Sequence, residues 1–145
     1  MEKFNFKFEK VLDYKKTIEN HKKNEYGKIQ QKLTEEEKAL EEYCEFKDEL
    51  KNRKNQSYKK TNIANLQLYN NYLNNMNELI SVQEGIINQT KEELKVAKGE
   101  LLEVSKEKKI FERLKENKYE EYLYDIKKEE EKLIDTIVSF KASTH

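Results

Sequence analysis

From Leu66 onward the chain keeps a strict apolar beat. Leu66, Leu73, Ile80, Ile87, Leu94 and Leu101 form one row, and Tyr69, Met76, Gln83, Thr90, Ala97, Val104 and Phe111 form its companion. Steps alternating between three and four, held for about six heptads, mark a coiled-coil seam on one helix face. Continuing the rows leads to Lys108 and Lys115, where apolar residues are expected. The beat resumes at Tyr119, Tyr122, Ile126, Leu133, Ile137 and Phe140, out of step with the first frame. Such a slip reads as a stutter, which unwinds a supercoil locally.

Upstream the stripe is looser. Phe4, Phe8, Val11, Ile18, Tyr26, Ile29, Leu33, Leu40, Tyr43, Phe46 and Leu50 recur mostly at helical intervals, with Lys15, Lys22 and Glu36 interrupting them. Asn5 is the expected N-cap. Between the two patterns, KNRKNQSYKKTN is polar and rich in turn-tolerant asparagine, which places a reversal there.

The pattern therefore predicts an all-α fold: a single coiled-coil domain over 1–145, with two long helices in an antiparallel coiled-coil hairpin. Helix one is expected at about 5–53, the turn at about 54–61 and helix two at about 62–141. A reversal centred near residue 58 puts Leu50 beside Gln67, Tyr43 beside Asn74 and Phe4 beside Arg113. At a rise of ~1.5 Å per residue helix one spans about 75 Å and helix two about 115 Å, so the second is longer and overhanging by roughly its last 25 to 30 residues.

Composition supports this picture. Of 145 residues 40% are charged and 35% hydrophobic, with three glycines and no proline, which suits long helices better than a thick globular core. Polarity of this order also fits disorder, but nine tyrosines and six phenylalanines argue against it. Gly85 and Gly99 lie inside helix two, read either as tolerated surface glycines or as points of close helix approach.

Charge narrows the partners. Lys plus Arg and Asp plus Glu are 29 each, and the signs are interspersed, so nucleic acid is not an expected partner. No apolar run approaches the roughly 20 residues of a membrane span, and the N-terminal MEKFNFKFEK has no secretory pattern. Cys44, the single cysteine, is expected beside the seam, and the chain reads as cytoplasmic.

Catalytic chemistry is thinly represented. His21 and His145 are far apart, and there is no glycine-rich phosphate loop, no HExxH and no CxxC. The acidic runs read as solvated helix faces with i,i+4 ion pairs. No enzyme activity, catalytic residue, cofactor or metal is expected. Tyr43, Phe46, Tyr58, Tyr69 and Tyr72 instead cluster toward the turn, beside an asparagine-rich stretch from Asn62 to Asn77. This grouping reads equally as seam packing with stray exposed aromatics or as a protein-binding surface.

Three segments carry a resemblance. FNFKFEKVLDYKKTIEN, LQLYNNYLNNMNELI, and LLEVSKEKKIFERLKENKYEEY followed by KKEEEKLIDTI resemble the FliJ proteins of the flagellar type III export apparatus over nearly the whole chain. The resemblance implies a non-enzymatic coiled coil similar to the gamma stalk of rotary ATP synthases. It implies contact with the hexameric export ATPase (FliI) and the export gate protein (FlhA), and an escort role for export chaperones. The place implied is peripheral to the cytoplasmic face of the inner membrane at the flagellar base.

Matched by position, the implied gate-binding residues are Glu36, Leu40, Tyr43, Tyr72, Met76, Leu79 and Gln83. Lys47 stands where an aromatic would extend that patch, with Phe46 beside it. For the ATPase, the stalk-like architecture implicates Phe4, Phe8, Val11, Phe111, Arg113, Leu114, Tyr119 and Tyr122. The alternatives are an unrelated helical-hairpin adaptor or scaffold, and a stalk subunit of a rotary ATPase.

Overall fold

The computed structural model describes residues 2–57 and 62–144, and the chain is all-α. Helix α1 spans Glu9–Ser57 and helix α2 spans Ile63–Ser143. They pack against each other in antiparallel sense as a helical hairpin, α2 with 81 residues outlasting α1 with 49. Tyr58, residues 58–61 of the expected turn, and His145 lie outside the described residues.

The helix ends follow local chemistry. The Asn62 side-chain carbonyl accepts a hydrogen bond from the Asn65 N–H at 3.0 Å, which caps α2 by satisfying a donor of its first turn. Helix α1 begins later than its spacing suggests. The Glu9 N–H donates to the Phe6 carbonyl and the Leu12 N–H to the Phe8 carbonyl, with the Glu9 carboxylate in the electropositive first turn. Asn5 is therefore not its cap. Residues 2–6 are non-helical, with Phe4 and Phe6 turned inward and Lys3, Asn5 and Lys7 exposed. That alternation has a period of two, which a helix cannot satisfy.

At its other end α1 continues to Ser57, into the expected turn, and the pairing register moves with it. Lys15 meets Glu107 and Lys22 meets Glu100, each about five residues further along α2 than a reversal centred on residue 58 implies. Phe4 accordingly lies on Tyr119 and Tyr122, not beside Arg113.

Contacts divide the chain into an internal unit, Lys22–Leu101, and a terminal unit, Met1–His21 with Leu102–His145. In the internal unit the two predicted rows of α2 face α1, with Met76, Ile87, Thr90 and Ala97 buried. Leu50 is their buried counterpart on α1. Glu36 and Lys22 do not interrupt the α1 stripe; they occupy it. With Tyr26, Ile29, Leu33, Leu40, Tyr43, Lys47, Leu50 and Lys54 they form an unbroken three–four progression of shielded positions. Lys47 holds the seam position while Phe46 is 47% exposed.

In the terminal unit the buried positions of α1 are Leu12, 1% exposed, and Glu19, 5% exposed. Phe8 and Val11, expected in the stripe, lie just outside it. The expected slip of α2 is absent over this stretch: Lys108, Lys115 and Tyr122 are half-buried and continue the heptad set by Leu66. Lysines keep the frame here because acidic residues of α1 meet them. From Lys127 onward every described residue is exposed, so the overhang begins about ten residues later than the length arithmetic suggests.

Candidate functional site

The terminal unit concentrates the chain's special chemistry. Ion pairs link α1 and α2 along its seam, among them Lys15 to Glu107 at 2.9 Å, Glu19 to Lys108 at 2.9 Å and Glu9 to Lys115 at 2.8 Å. Lys108 also approaches Glu112 at 3.6 Å. Glu19 and Lys108 are the most enclosed pair, with side chains 7% and 19% exposed. The hydrogen bond from Lys108 to the Glu19 carboxylate holds its pKa above the ordinary lysine value, against the opposing effect of burial. A lysine's aliphatic stem can cover apolar surface while its ammonium reaches a partner, which suits the residue to a seam position.

An aromatic cluster adjoins these pairs. Phe4 sits edge-on to Tyr119, with ring centres 5.1 Å apart, and tilted against Tyr122 at 5.5 Å. Tyr119 and Tyr122 stack at 6.3 Å. Phe8 meets Phe6 at 5.9 Å and Phe111 at 6.2 Å, both edge-to-face. The Tyr122 hydroxyl donates to the Glu2 carbonyl at 2.7 Å. Such ring pairs contribute about 0.5–1.5 kcal/mol each beyond simple burial. A crevice of about 600 Å³ opens between residues 2–8 and Lys118, Glu121, Tyr122 and Asp125.

Of the residues the resemblance assigns to the ATPase, the structure gathers Phe4, Tyr119 and Tyr122 into one cluster and Phe8 with Phe111 into an adjoining one. Val11 and Arg113 are exposed and Leu114 half-buried. Phe6, 6% exposed, belongs to the same assembly. The helical spacing of Phe4, Phe8 and Val11 concealed it; the alternation in KFNFKF was the signal for it.

The residues matched to the gate divide differently, all within the internal unit. Met76 is buried, and Glu36, Leu40, Tyr43 and Gln83 are half-buried members of the seam. The Gln83 amide donates to the Glu36 backbone carbonyl at 2.9 Å. Among the described residues, Glu36 Oε2 is a buried side-chain oxygen without a hydrogen-bond partner. Tyr72 and Leu79 are about half exposed, on a stripe of α2 with Leu68, Val82, Ile86 and Val96. Of the aromatic group toward the turn, Tyr43 and Tyr69 pack in the seam while Phe46 and Tyr72 face solvent. Asn70, Asn71, Asn74, Asn75 and Asn77 are all exposed. Cys44 is also exposed.

Also in the internal unit, hydrogen bonding to Glu100, followed by the charges of Glu100 and Glu25, raises the Lys22 pKa. A Cβ added at Gly85 or Gly99 would meet nothing within 4 Å, so neither glycine marks a close helix approach. Among the described residues no cluster of His, Cys, Asp and Glu could hold a metal, and no helix is long and apolar enough to cross a membrane.

Comparison with curated proteins and with solved structures returned no match. A family model described as "Flagellar FliJ protein" matches residues 4–145, from the aromatic arm to the end of the chain. With that match over nearly the whole length of an antiparallel two-helix fold, the chain belongs to the FliJ family of coiled-coil proteins of the flagellar export apparatus.

Proposed function

We propose that the protein is a non-enzymatic coupling element of flagellar export, which engages the export ATPase hexamer through its terminal unit and the export gate through its internal unit. The observation carrying this reading is the family match over residues 4–145. An aromatic face in the terminal unit supports the ATPase assignment, since aromatic rings are enriched in the buried centres of protein interfaces. An asymmetric element seated in a ring of identical subunits biases their conformations through unequal contacts, with no bond made or broken by the element itself.

For the gate, Tyr72 and Leu79 are the contacting side chains, and Glu36, Leu40, Tyr43, Met76 and Gln83 support them from the seam. Exposed asparagine around Tyr72 offers amide donors and acceptors without net charge. Chaperone escort belongs to the same coupling role, at the cytoplasmic face of the flagellar base.

The test is ATP hydrolysis by the cognate export ATPase across a concentration series of this protein, with co-sedimentation of the ring. Saturable stimulation with ring binding is expected. Absence of both removes the ATPase reading. Retention of the gate protein on immobilised wild type, with loss in a Tyr72→Ala/Leu79→Ala variant, tests the gate reading separately.

A further inference from the structure

We infer that the non-helical N-terminal arm, residues 2–8, is a releasable strap over the Tyr119–Tyr122 face of α2. Three observations within the terminal unit carry this. Among the described residues, a single hydrogen bond ties the arm to α2, from the Tyr122 hydroxyl to the Glu2 carbonyl. Crevices of about 600 Å³ and about 420 Å³ border the arm, the first along residues 2–8 and the second between Phe4, Leu12 and Tyr119, so its packing is concentrated on Phe4 and the buried Phe6. Its sequence also satisfies a second periodicity: Phe4, Phe8 and Val11 are spaced four and three apart, as a forward extension of α1 requires, while Phe4 and Phe6 alternate inward in the structure.

A segment compatible with two backbone states and held by ring contacts is the kind that opens locally while the seam stays closed. Release uncovers the half-buried Tyr122 ring and the part of Tyr119, already 46% exposed, that Phe4 covers. These rings lead along α2 into Leu123, Ile126, Leu133, Ile137 and Phe140, where the described residues from 127 are exposed. The strap thus covers the near part of this face, which Glu129 and Glu130 interrupt before Leu133, and an incoming partner helix competes with Phe4 for the same two rings. Phe4 is then an intramolecular occupant of the face and not one of its contacts with the partner.

The binding consequence rests on the reading of this end as the ATPase contact; the strap itself is tested on the full-length protein alone. In hydrogen exchange, amides of residues 3–8 should exchange at least about tenfold faster than those of residues 12–19. Equal protection of the two segments overturns the strap. A Phe4→Ala/Phe6→Ala variant should keep its helical circular dichroism, nitrate faster at Tyr122 with tetranitromethane, and bind the export ATPase roughly three- to tenfold more tightly, since the fraction of open protein rises. Weaker binding by this variant shows the arm to be a contact and overturns the inference. If neither wild type nor variant binds the ATPase, the functional reading fails, and the exchange and nitration results decide the strap by themselves.

Discussion

The internal and terminal units use one heptad frame but fill it with different chemistry. Between Lys22 and Leu101 the enclosed α2 positions are uncharged: Leu, Ile, Met, Ala and Thr, with Tyr69 and Gln83 among them. In the terminal unit the equivalent row runs through Lys108 and Lys115, matched by Glu19 and Glu9, with a cluster of aromatic rings beyond. Apolar burial is non-directional, so leucines and isoleucines stabilise a pairing without distinguishing it strongly from one displaced by a heptad. A carboxylate and an ammonium 2.9 Å apart do distinguish it, because displacement breaks the cross-helix pairing of two shielded side chains. The lesson is one of degree: cross-helix ion pairs occur in both units, but the most enclosed, Glu19 with Lys108, lies in the terminal unit, where register is specified most strongly.

The largest expected effect tests whether the terminal unit depends on its few apolar anchors. Leu12→Ala empties a site that is 1% exposed and should cost about 3 kcal/mol. Hydrogen exchange should show protection lost in residues 9–21 and 102–122 before the internal unit, and uniform loss would contradict the division into two units. Next, Lys108→Ala removes the cross-helix pair to Glu19 and should cost about 2 kcal/mol, a fall in melting temperature of roughly 4–8 °C. Glu19→Leu/Lys108→Leu should melt at or above the wild-type temperature while admitting displaced pairings, detected by inter-helix cysteine cross-linking. A double variant with one cross-linking register would show that the pair is not what fixes it.

A smaller effect of opposite sign belongs to the internal unit. Glu36→Leu removes a buried, unpartnered carboxylate oxygen and should gain about 1 kcal/mol in denaturant unfolding.

The smallest concerns alkali. Because the Lys108 pKa is raised in the folded protein, its contribution is complete below the unfolded lysine value and is lost as pH climbs through the higher folded one. Urea midpoints above about pH 10.5 should therefore fall less in Glu19→Leu/Lys108→Leu than in wild type. Equal falls would show that the pair does not contribute.

Much of the fold was legible because α2 states its period in apolar letters. The α1 frame was harder to read, since Lys15, Glu19, Lys22, Glu36 and Lys47 occupy it. A hydrophobicity pattern treats those residues as gaps, whereas a long aliphatic stem ending in a charge fills a seam wherever its counter-charge faces it. The apparent stutter near Lys108 has the same origin: the side-chain chemistry changes while the geometry does not. Phe4, Phe8 and Val11 are spaced as a helix stripe requires, which masks Leu12 as the buried position. The aromatic face was legible as a list of residues, but its assembly required the true reversal, which moved Phe4 from Arg113 onto Tyr119 and Tyr122.

The exposed end of α2, residues 127–144, has a thermodynamic consequence of its own. An isolated helix of that length is marginal in water because its first turn must be nucleated. Here that turn already exists, continuous with the helix paired upstream, so order extends outward one residue at a time. A partner meeting this end has only propagation to stabilise and can engage it turn by turn. Shortening the tail should therefore reduce binding in graded steps.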